Sequence, residues 1–430
     1  PSPQDASAAS GGADNPFDPA AMGKMLLTTP VADAHVLSLV WPLPPLRRYY
    51  EFATFDFISH ILGHEGPGSL TSGLKKKGWI VELMAGVDAE DGLQCNSRFA
   101  LFTLEVTLTD EGLRAYEDVI SAVYEYLALM RAGPGPASWV YEEIKAVREM
   151  RFRFHQEQPA ADYAQSLAAD MLVYAPQHTL SGGYLYREWD PSLVVALMKF
   201  MVPWNMRVIL SSNSEAHAAR VKEASEAAED PAAKDGSAES LVPSAETGVE
   251  SGGREPWFGV PFARESFAQS LLSAWAAGTP PAEESRRVPG LALVPPNDFI
   301  ATDFALLPAP APPADRPTSL ASSGAAGIVS LWHKPDLEFR TPRATLLLKF
   351  GSSGMGGSIS SSVLCALFVE LVRDGFNETV YMAEQAGIDI DLRLMDRALQ
   401  LSAHGFSHKG LHCARACEPP RSAPAYPLCG

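Results

Sequence analysis

Residues 59–80 read SHILGHEGPGSLTSGLKKKGWI, and the elements expected around this run set the architecture of the chain. From about residue 46 to 62, apolar side chains recur at intervals of three and four, which predicts an amphipathic helix that ends at Gly63. The string HEGPGSL then predicts a turn, and Ser69 within it is suited to cap a short helix that runs to Lys77. A helix, a tight turn and a second, short helix are therefore expected to follow one another here.

Strand patterns flank these helices. Residues 34–42 (AHVLSLVWP) are apolar and end at a proline, which is typical of a buried strand, and residues 79–86 also read as a strand. Between 97 and 108 the side chains alternate, with Ala100, Phe102, Leu104, Val106 and Leu108 on one face. Further patterns predict helices at 109–127, 138–154, 160–174 and 192–201 and a strand at 206–210. This order predicts an α+β layer of about 180 residues.

The composition changes twice along the remaining chain. Residues 215–255 contain ten acidic and four basic residues and few apolar ones, which predicts a disordered acidic insertion. After a proline-rich stretch at 308–317, a strand at 343–350 and a helix at 360–373 repeat the strand-then-helix order seen at 34–62. Two copies of one domain type are therefore expected in tandem.

These signals divide the chain into six predicted segments. The first is disordered, the second is an α+β domain without its end, and the third is the acidic insertion. The fourth completes that domain and links it to the fifth, a truncated second copy, and the sixth is a disordered or aberrant tail. Their bounds are 1–29, 30–214, 215–255, 256–325, 326–409 and 410–430.

Composition limits the classes of partner. The net charge of -17 argues against nucleic acid, because phosphate neutralisation needs clustered Lys and Arg, and the run Lys75-Lys76-Lys77 reads as a solvated helix end. Five cysteines, an odd and sparse number, favour a reducing compartment, and we expect the cytoplasm, with targeting to an organelle left open. No membrane partner is expected, since no apolar run reaches the roughly 18 residues that a membrane helix needs.

Two histidine groups resemble metal ligands. His60 and His64 are four residues apart, as in a zinc pair on a helix, but Gly63 interrupts the helix; a turn that uses them for hydrogen bonds is the other interpretation. In the tail, His404, His408 and His412 lie near Cys413 and Cys417, whereas Gly405 and Gly410 disfavour an aligned helix. A zinc site and an unstructured terminus both remain as interpretations of the tail.

Several strings, in order, resemble the insulysin (insulin-degrading enzyme) branch of the pitrilysin/insulinase zinc metallopeptidases. They are the run at 59–80, ALFTLEVTLTDEGL at 100–113, EPWFGV at 255–260, PPNDFIATDFALLP at 295–308, LWHKPDLEFRTPRATLLLKF at 331–350 and AEQAGIDIDL at 383–392. The resemblance implies a tandem of pitrilysin/insulinase-type (metalloenzyme LuxS/peptidase-like) domains, each an antiparallel sheet packed with helices. It covers the second domain of that family and the start of the third, and the second copy is expected to be truncated.

The resemblance implies an activity and a cofactor that lie largely outside this chain. Family members hold Zn²⁺ with an H-x-x-E-H motif in their first domain and hydrolyse peptides or unfolded polypeptides. Neither H-x-x-E-H nor H-E-x-x-H occurs in this sequence, so no catalytic or metal-ligating residue is assigned here. We expect a partial zinc metalloendopeptidase that is inactive alone and whose partners are peptides and either the missing catalytic domain or a homologous chain. A truncated gene model would explain the departures from the family pattern near both ends.

One functional site carries over from the family. In the second domain, a distal exosite anchors the amino terminus of a peptide, which is added as an extra strand. The matching positions are His60, Gly63, Glu65 and the strand Leu83, Met84, Ala85, Gly86 and Val87. Glu65 can pair with an α-ammonium group, and the small Ala85 and Gly86 allow a close backbone approach, although Ala85 and Val87 depart from the family pattern. These residues otherwise simply shape a turn and an edge strand.

Three functions are therefore weighed. The first is the partial metalloendopeptidase with a peptide-anchoring edge, and the second is a non-catalytic peptide-binding or assembly subunit of a two-chain peptidase. The third is a small zinc-binding protein that uses the histidines and cysteines of the tail.

Overall fold

The computed structural model divides the chain into two compact units, Pro1–Pro296 (unit 1) and Asn297–Gly430 (unit 2). This boundary lies earlier than the predicted start of the second copy at residue 326. The structure describes residues 16–88, 92–132, 137–229, 249–306, 316–323, 329–336, 338–351, 354–355, 357–395 and 398–409. No helix among these residues is long and apolar enough to cross a membrane.

Unit 1 is built on one mixed, mainly antiparallel sheet. Its described strands are β1 (Lys24–Thr28), β2 (His35–Leu43), β3 (Ile80–Gly86), β4 (Ala100–Leu108), β5 (Arg207–Ser212), β6 (Val249–Arg254) and β7 (Pro261–Ser266). They are ordered β3-β4-β2-β5-β1-β7-β6, so that β3 forms one edge. Only β1 and β5 are parallel neighbours.

The side-chain alternation predicted for the second hairpin strand is confirmed. In β4, Ala100, Phe102, Leu104, Val106 and Leu108 are buried and the residues between them are partly exposed. The antiparallel register places Trp41 opposite Phe102, Leu39 opposite Leu104 and Leu37 opposite Val106. Because alternate side chains point to the same face, this register collects the apolar residues of β2 and β4 on the face that the helices cover.

Helices occupy the positions that the periodicity indicates, with shifted bounds. The first predicted helix begins later than residue 46: a short 3-10 turn at Arg47–Tyr49 precedes it, and its observed end at Leu62 agrees with the prediction. The helices of unit 1 are α1 (Thr54–Leu62), α2 (Leu70–Lys76), α3 (Asp110–Arg114), α4 (Tyr116–Ala132), α5 (Ser138–Arg153), α6 (Ala160–Val173), α7 (Pro191–Met198), α8 (Glu215–Glu229) and α9 (Gln269–Ala277).

An aromatic cluster joins distant parts of unit 1. The indole Nε1 of Trp41 in β2 donates to the hydroxyl of Tyr124 in α4, at 3.2 Å, and that hydroxyl donates to the sulfur of Met206, also at 3.2 Å. Trp275 in α9 stacks on Tyr124, with ring centroids 6.1 Å apart, and its Nε1 donates to Ser121 Oγ at 2.8 Å. Each buried polar atom in this cluster therefore has a partner, which avoids the cost of leaving it unsatisfied.

Two predictions of disorder are wrong in part. Within 1–29, Lys24–Thr28 forms β1 between β5 and β7, and Met25 and Leu27 point into the core. Within 215–255, Glu215–Glu229 forms α8 and Val249–Arg254 forms β6, while residues 230–248 lie outside the described residues. The few apolar side chains of α8, such as Val221, lie on the core side, so tertiary packing stabilises a helix whose composition alone does not.

Unit 2 contains a shorter sheet. Its described strands are β8 (Thr318–Ser323), β9 (Val329–His333), β10 (Arg343–Gly351), β11 (Asp389–Met395) and β12 (Ala398–Phe406), and its long helix is α10 (Ile359–Gln385). Strands β8 and β9 pair with each other, and the other three are ordered β10-β12-β11. The order and pairing of β10, α10, β11 and β12 repeat those of β2, α1, β3 and β4, as the tandem pattern predicts.

Substitution of Gly112 tests how closely α3 packs against Trp79, the residue before β3. Thr109 caps α3 by accepting the backbone N–H of Gly112 at 3.0 Å, and a Cβ on Gly112 would overlap the carbonyl oxygen of Trp79. We expect Gly112→Ala to lower the free energy of unfolding by about 3 kcal/mol, because backbone cannot yield as a flexible side chain does.

Chemical denaturation measures this loss. Gly92→Ala is the matched control, since a Cβ there meets nothing within 4 Å. Equal stabilities of the two variants would contradict the packing of α3 against Trp79.

Candidate functional site

The predicted anchoring strand is the outer strand β3 of the unit 1 sheet. It pairs with β4 on one side, and no described strand pairs with its other side. Leu83 is buried in the core, whereas Val81 and Met84 are 60% and 55% exposed. Val87 follows the strand and packs against the core while partly buried. One face of β3 therefore packs on the core, and the outer edge of the strand, its open flank, is not paired with any described strand.

The C-terminal end of α1 meets the end of β3 at two glycines. A Cβ on Gly63 would lie 3.0 Å from the carbonyl oxygen of Ser59 and 3.6 Å from the backbone nitrogen and oxygen of Ala85. A Cβ on Gly86 would lie 3.4 Å from Ser59 Oγ. The structure therefore brings Gly63, Ala85 and Gly86 together, and the missing side chains permit this close approach.

Glu65 lies two residues beyond this contact and already has a partner. Its Oε2 accepts a hydrogen bond from Lys75 Nζ at 2.8 Å, and both side chains are partly exposed. Lys75 reaches Glu65 because Ser69 caps α2, its Oγ accepting the N–H of Ser72 at 3.1 Å. From its place in the run Lys75-Lys76-Lys77, Lys75 is expected only at a solvated helix end. Lys75 lies next to Glu65 only because the turn between α1 and α2 brings α2 back towards the end of α1.

His60 lies on the interior side of α1, away from solvent. Its Nε2 is 3.8 Å from a carboxylate oxygen of Glu143 in α5, and its side chain is 15% exposed. The ring of His64 contacts that of His60 edge to face at 5.5 Å, and His64 Nδ1 accepts the N–H of Gly66 at 2.8 Å. Burial lowers the pKa of both histidines to about 4, and for His64 the nearby His60 adds to the effect.

The histidine groups do not assemble into a metal centre among the described residues, where no group of three or more potential ligands occurs. His60 is in α1 and His64 is in the turn after it, which favours the hydrogen-bonded turn. In unit 2, His404 Nδ1 is 2.8 Å from Thr345 Oγ1, and His408 Nδ1 accepts the N–H of Thr302 and of Asp303. His412, Cys413 and Cys417 lie outside the described residues.

A second polar arrangement, which sequence reasoning missed, has the residue types of a hydrolytic triad. His35 Nε2 is 3.1 Å from Asp110 Oδ1, and its Nδ1 is 2.9 Å from Ser212 Oγ. Ser212 is fully buried, however, and its Oγ accepts the N–H of Ser214 at 3.1 Å. A substrate carbonyl has no access to this hydroxyl, so the arrangement joins β2, β5 and α3 rather than forming a nucleophile.

The buried histidine pair predicts a pH dependence of stability. Both folded-state pKa values, about 4, lie below the ordinary value of 6.5, so the unfolded chain binds more protons between these values. The contribution is fully present above pH 6.5 and is lost as the pH falls towards 4. We expect a loss of about 2–3 kcal/mol for each histidine, measured by urea denaturation between pH 7.5 and 4.5.

Substitution of one histidine isolates its share of this pH dependence. His60→Met should make the decline with falling pH less steep, because the side chain no longer takes up a proton on unfolding. Substitution of the exposed Gln158 by Met, which removes no titratable group, should leave the slope unchanged. An identical slope for the wild type and His60→Met would contradict the buried, neutral state of His60.

Comparison with protein families divides the chain between two models of one peptidase family. Residues 12–147 match the peptidase M16 inactive domain, and residues 152–414 match the middle or third domain of peptidase M16. The boundary between the two matches falls inside α5. Both matched domains differ from the metal-binding first domain that the sequence resemblance describes.

Several curated proteins are similar over most of this chain. It is 34% identical over 390 residues to a nardilysin-like protein of Arabidopsis thaliana, covering 90% of this chain and 34% of that protein. Human nardilysin is 27% identical to this chain, and the match covers 92% of this chain and 31% of nardilysin. Human insulin-degrading enzyme is 28% identical, and that match covers 92% of this chain and 34% of the enzyme. The chain therefore spans about a third of the length of these relatives.

The fold comparison agrees. The crystal structure of pitrilysin superposes with a TM-score of 0.71 at 19% identity, covering 93% of this chain and 38% of that one. The predicted α+β class and the resemblance to the pitrilysin/insulinase family are confirmed. The chain belongs to the M16 peptidase family, of which it contains an inactive domain and middle-domain sequence.

Proposed function

We propose that this chain anchors the amino-terminal end of a peptide along the open flank of β3, as the substrate-holding part of an M16 peptidase. The observation that carries the proposal is the position of β3 at the edge of a seven-stranded sheet. An edge strand offers a row of backbone N–H and C=O groups to an incoming extended peptide. Such binding takes its affinity from the main chain and accepts many sequences.

The close contacts at Gly63 and Gly86 support this role, because they set how near α1 lies to the end of β3. Gly63 and Gly86 keep α1 close to the end of β3 without side chains between them. Val81 and Met84 expose apolar surface on the same strand, which a peptide side chain can cover. His60 contributes from the interior, where it packs between α1 and α5, and we assign it a positioning role through the shape of α1.

Glu65 is the group we assign to the peptide amino terminus. A carboxylate has two oxygens and several acceptor positions, so an α-ammonium can bind beside Lys75 or displace it. The net charge of -17 also favours approach of a cationic terminus over an anionic one. The peptide would therefore begin at Glu65 and continue along β3.

The hydrolytic step is not assigned to this chain. The zinc that the family uses has no fitting ligand set among the described residues, and H-x-x-E-H is absent from the sequence. We propose that a catalytic domain or a homologous chain supplies the metal and that this chain contributes binding. A peptide incubated with this chain and zinc should be recovered intact, as mass spectrometry can show.

Anisotropy of an unstructured peptide labelled at its C-terminus tests the anchoring site. We expect the peptide with a free amino terminus to bind about fivefold more tightly than its acetylated form, the difference expected for a partly exposed ion pair. Glu65→Gln should abolish this difference. Lys75→Met should enlarge it, because the competing ammonium group is removed.

Glu226→Gln in α8 is the control, since it changes the net charge equally at an exposed position. Equal affinities of the wild type for the free and acetylated peptides would contradict the role of Glu65. Absence of binding by both peptides would contradict the role of β3.

A further inference from the structure

A segment near the end of unit 1 packs along the short helix α2 and the turn before it. We call this segment, residues 284–292, the strap. It meets α2 and the turn at three pairs of residues that are far apart in sequence, which are Ser285 with Lys77, Val288 with Gly73, and Ala292 with Gly68. The number of the partner falls as that of the strap residue rises, so the strap runs antiparallel to α2 along its whole length.

The middle contact of the strap is close because α2 has a glycine there. A Cβ placed on Gly73 would lie 2.6 Å from Val288 Cγ1 and 3.0 Å from Leu291 Cδ2. Val288 is 5% exposed and belongs to the core of unit 1. The strap therefore lies closer to the backbone of α2 than a side chain at this position would allow.

The strap is also fixed to α4 near both of its ends. Arg286 Nε donates to both carboxylate oxygens of Asp118, at 2.9 and 3.0 Å, and Arg286 Nη2 is 2.8 Å from Asp118 Oδ1. Such a bidentate pair is stronger than a neutral hydrogen bond, and Asp118 is largely buried. At the other end, the hydroxyl of Tyr126 donates to the carbonyl oxygen of Ala292 at 3.2 Å. The strap is therefore an anchored part of unit 1.

Helix α2 depends on such contacts for its conformation. It has seven residues, and helices of this length are unstable in water by themselves. Gly73 lowers its helix propensity further. Residues 70–74 are all buried, so tertiary packing keeps α2 helical, and the strap supplies part of that packing.

The position of Glu65 depends in turn on α2 and on the turn before it. Lys75 of α2 pairs with Glu65, and the N–H of Ser69 donates to the carbonyl oxygen of Gly66 at 3.1 Å within the turn. The strap adds a hydrogen bond to the same turn, from the N–H of Ala292 to the carbonyl oxygen of residue 68 at 2.9 Å. Displacement of the strap would therefore loosen both the turn and the helix that hold this carboxylate.

We propose that the strap is a positioning element of the peptide site, which holds the Glu65 carboxylate where a peptide amino terminus reaches it. This inference rests on the proposed function of Glu65. Strand β3 is held by its own pairing with β4. Displacement of the strap should therefore weaken recognition of the amino terminus and leave main-chain binding along β3 unchanged.

Anisotropy with the free and the acetylated peptide tests this role. Gly73→Ala should displace the strap, because the branched side chain of Val288 has few alternative rotamers. We expect the preference for the free amino terminus to fall from about fivefold to less than about twofold, with unchanged affinity for the acetylated peptide. Gly73→Ala combined with Val288→Ala should restore the preference, because removal of Cγ1 makes room for the new methyl group and the other neighbour, Leu291 Cδ2, ends a flexible side chain.

A second variant acts on the strap through α4. Arg286→Met removes the bidentate pair with Asp118 and should lower the same preference, whereas Arg286→Lys should retain part of it because the charge remains. Arg254→Met is the matched control, since it removes an exposed arginine whose Nη1 donates to the carbonyl oxygen of Gly259 at 3.0 Å. Arg286→Met adds no bulk, so it carries the measurement even where Gly73→Ala fails to fold.

Amide hydrogen exchange, followed by mass spectrometry, tests the strap without a peptide. In Gly73→Ala and in Arg286→Met, the amides of residues 64–70 should exchange about tenfold faster than in the wild type, whereas those of β4 should keep their rates. The double variant with Val288→Ala should return the exchange to the wild-type rate.

Three outcomes overturn the proposal. The first is unchanged exchange at residues 64–70 in both single variants, and the second is a parallel loss of affinity for both peptides, which marks a general loss of structure. The third is a double variant without rescue, because the effect then arises within α2. A wild type with equal affinities for the two peptides contradicts the role of Glu65 instead, and hydrogen exchange then decides whether the strap holds the turn.

Discussion

The hydrogen bonds around Tyr124 are the interaction on which unit 1 depends. This fully buried hydroxyl accepts from Trp41 and donates to Met206, and burial raises the pKa of Tyr124 far above its ordinary value, so it stays neutral. Trp275 stacks on Tyr124, and this contact places α9, which follows the acidic segment in sequence, near β2. Strand β3 lies at the edge of the same sheet, and no described strand pairs with its outer backbone groups.

At the candidate site on this edge, a close backbone contact lies next to an ion pair. Gly63 allows α1 to lie against Ala85, and Lys75 forms an ion pair with Glu65, the group to which we propose that a peptide amino terminus binds. Burial lowers the pKa of the two neighbouring histidines to about 4, so they are neutral near pH 7. The described residues of this M16 chain contain no group of three or more potential metal ligands, and the function that we propose for its sheet edge is to hold a peptide.

Local sequence patterns predict those features of the fold that depend on the side chains of a single helix or strand. The alternation of β4 and the Ser69 cap of α2 agree with the sequence patterns, because burial of every second side chain and capping are local requirements. Strand β1 and helix α8 were not foreseen. Lys24–Thr28 is too short to show a period, and α8 is stabilised by Val221 packing against elements distant in sequence. For the site, the resemblance indicated Gly63 and Glu65, whereas neither Lys75 nor Glu143 carried a local signal.

The sequence by itself determined the α+β class, the repeated strand–helix order and the family, because these follow from periodicity and from strings that match in order. Only the tertiary structure decided that His60 points inwards, that Glu65 pairs with Lys75, and that apolar side chains of α10 are exposed. Each of these depends on which distant segment lies next to which, and no pattern within a single element contains that information.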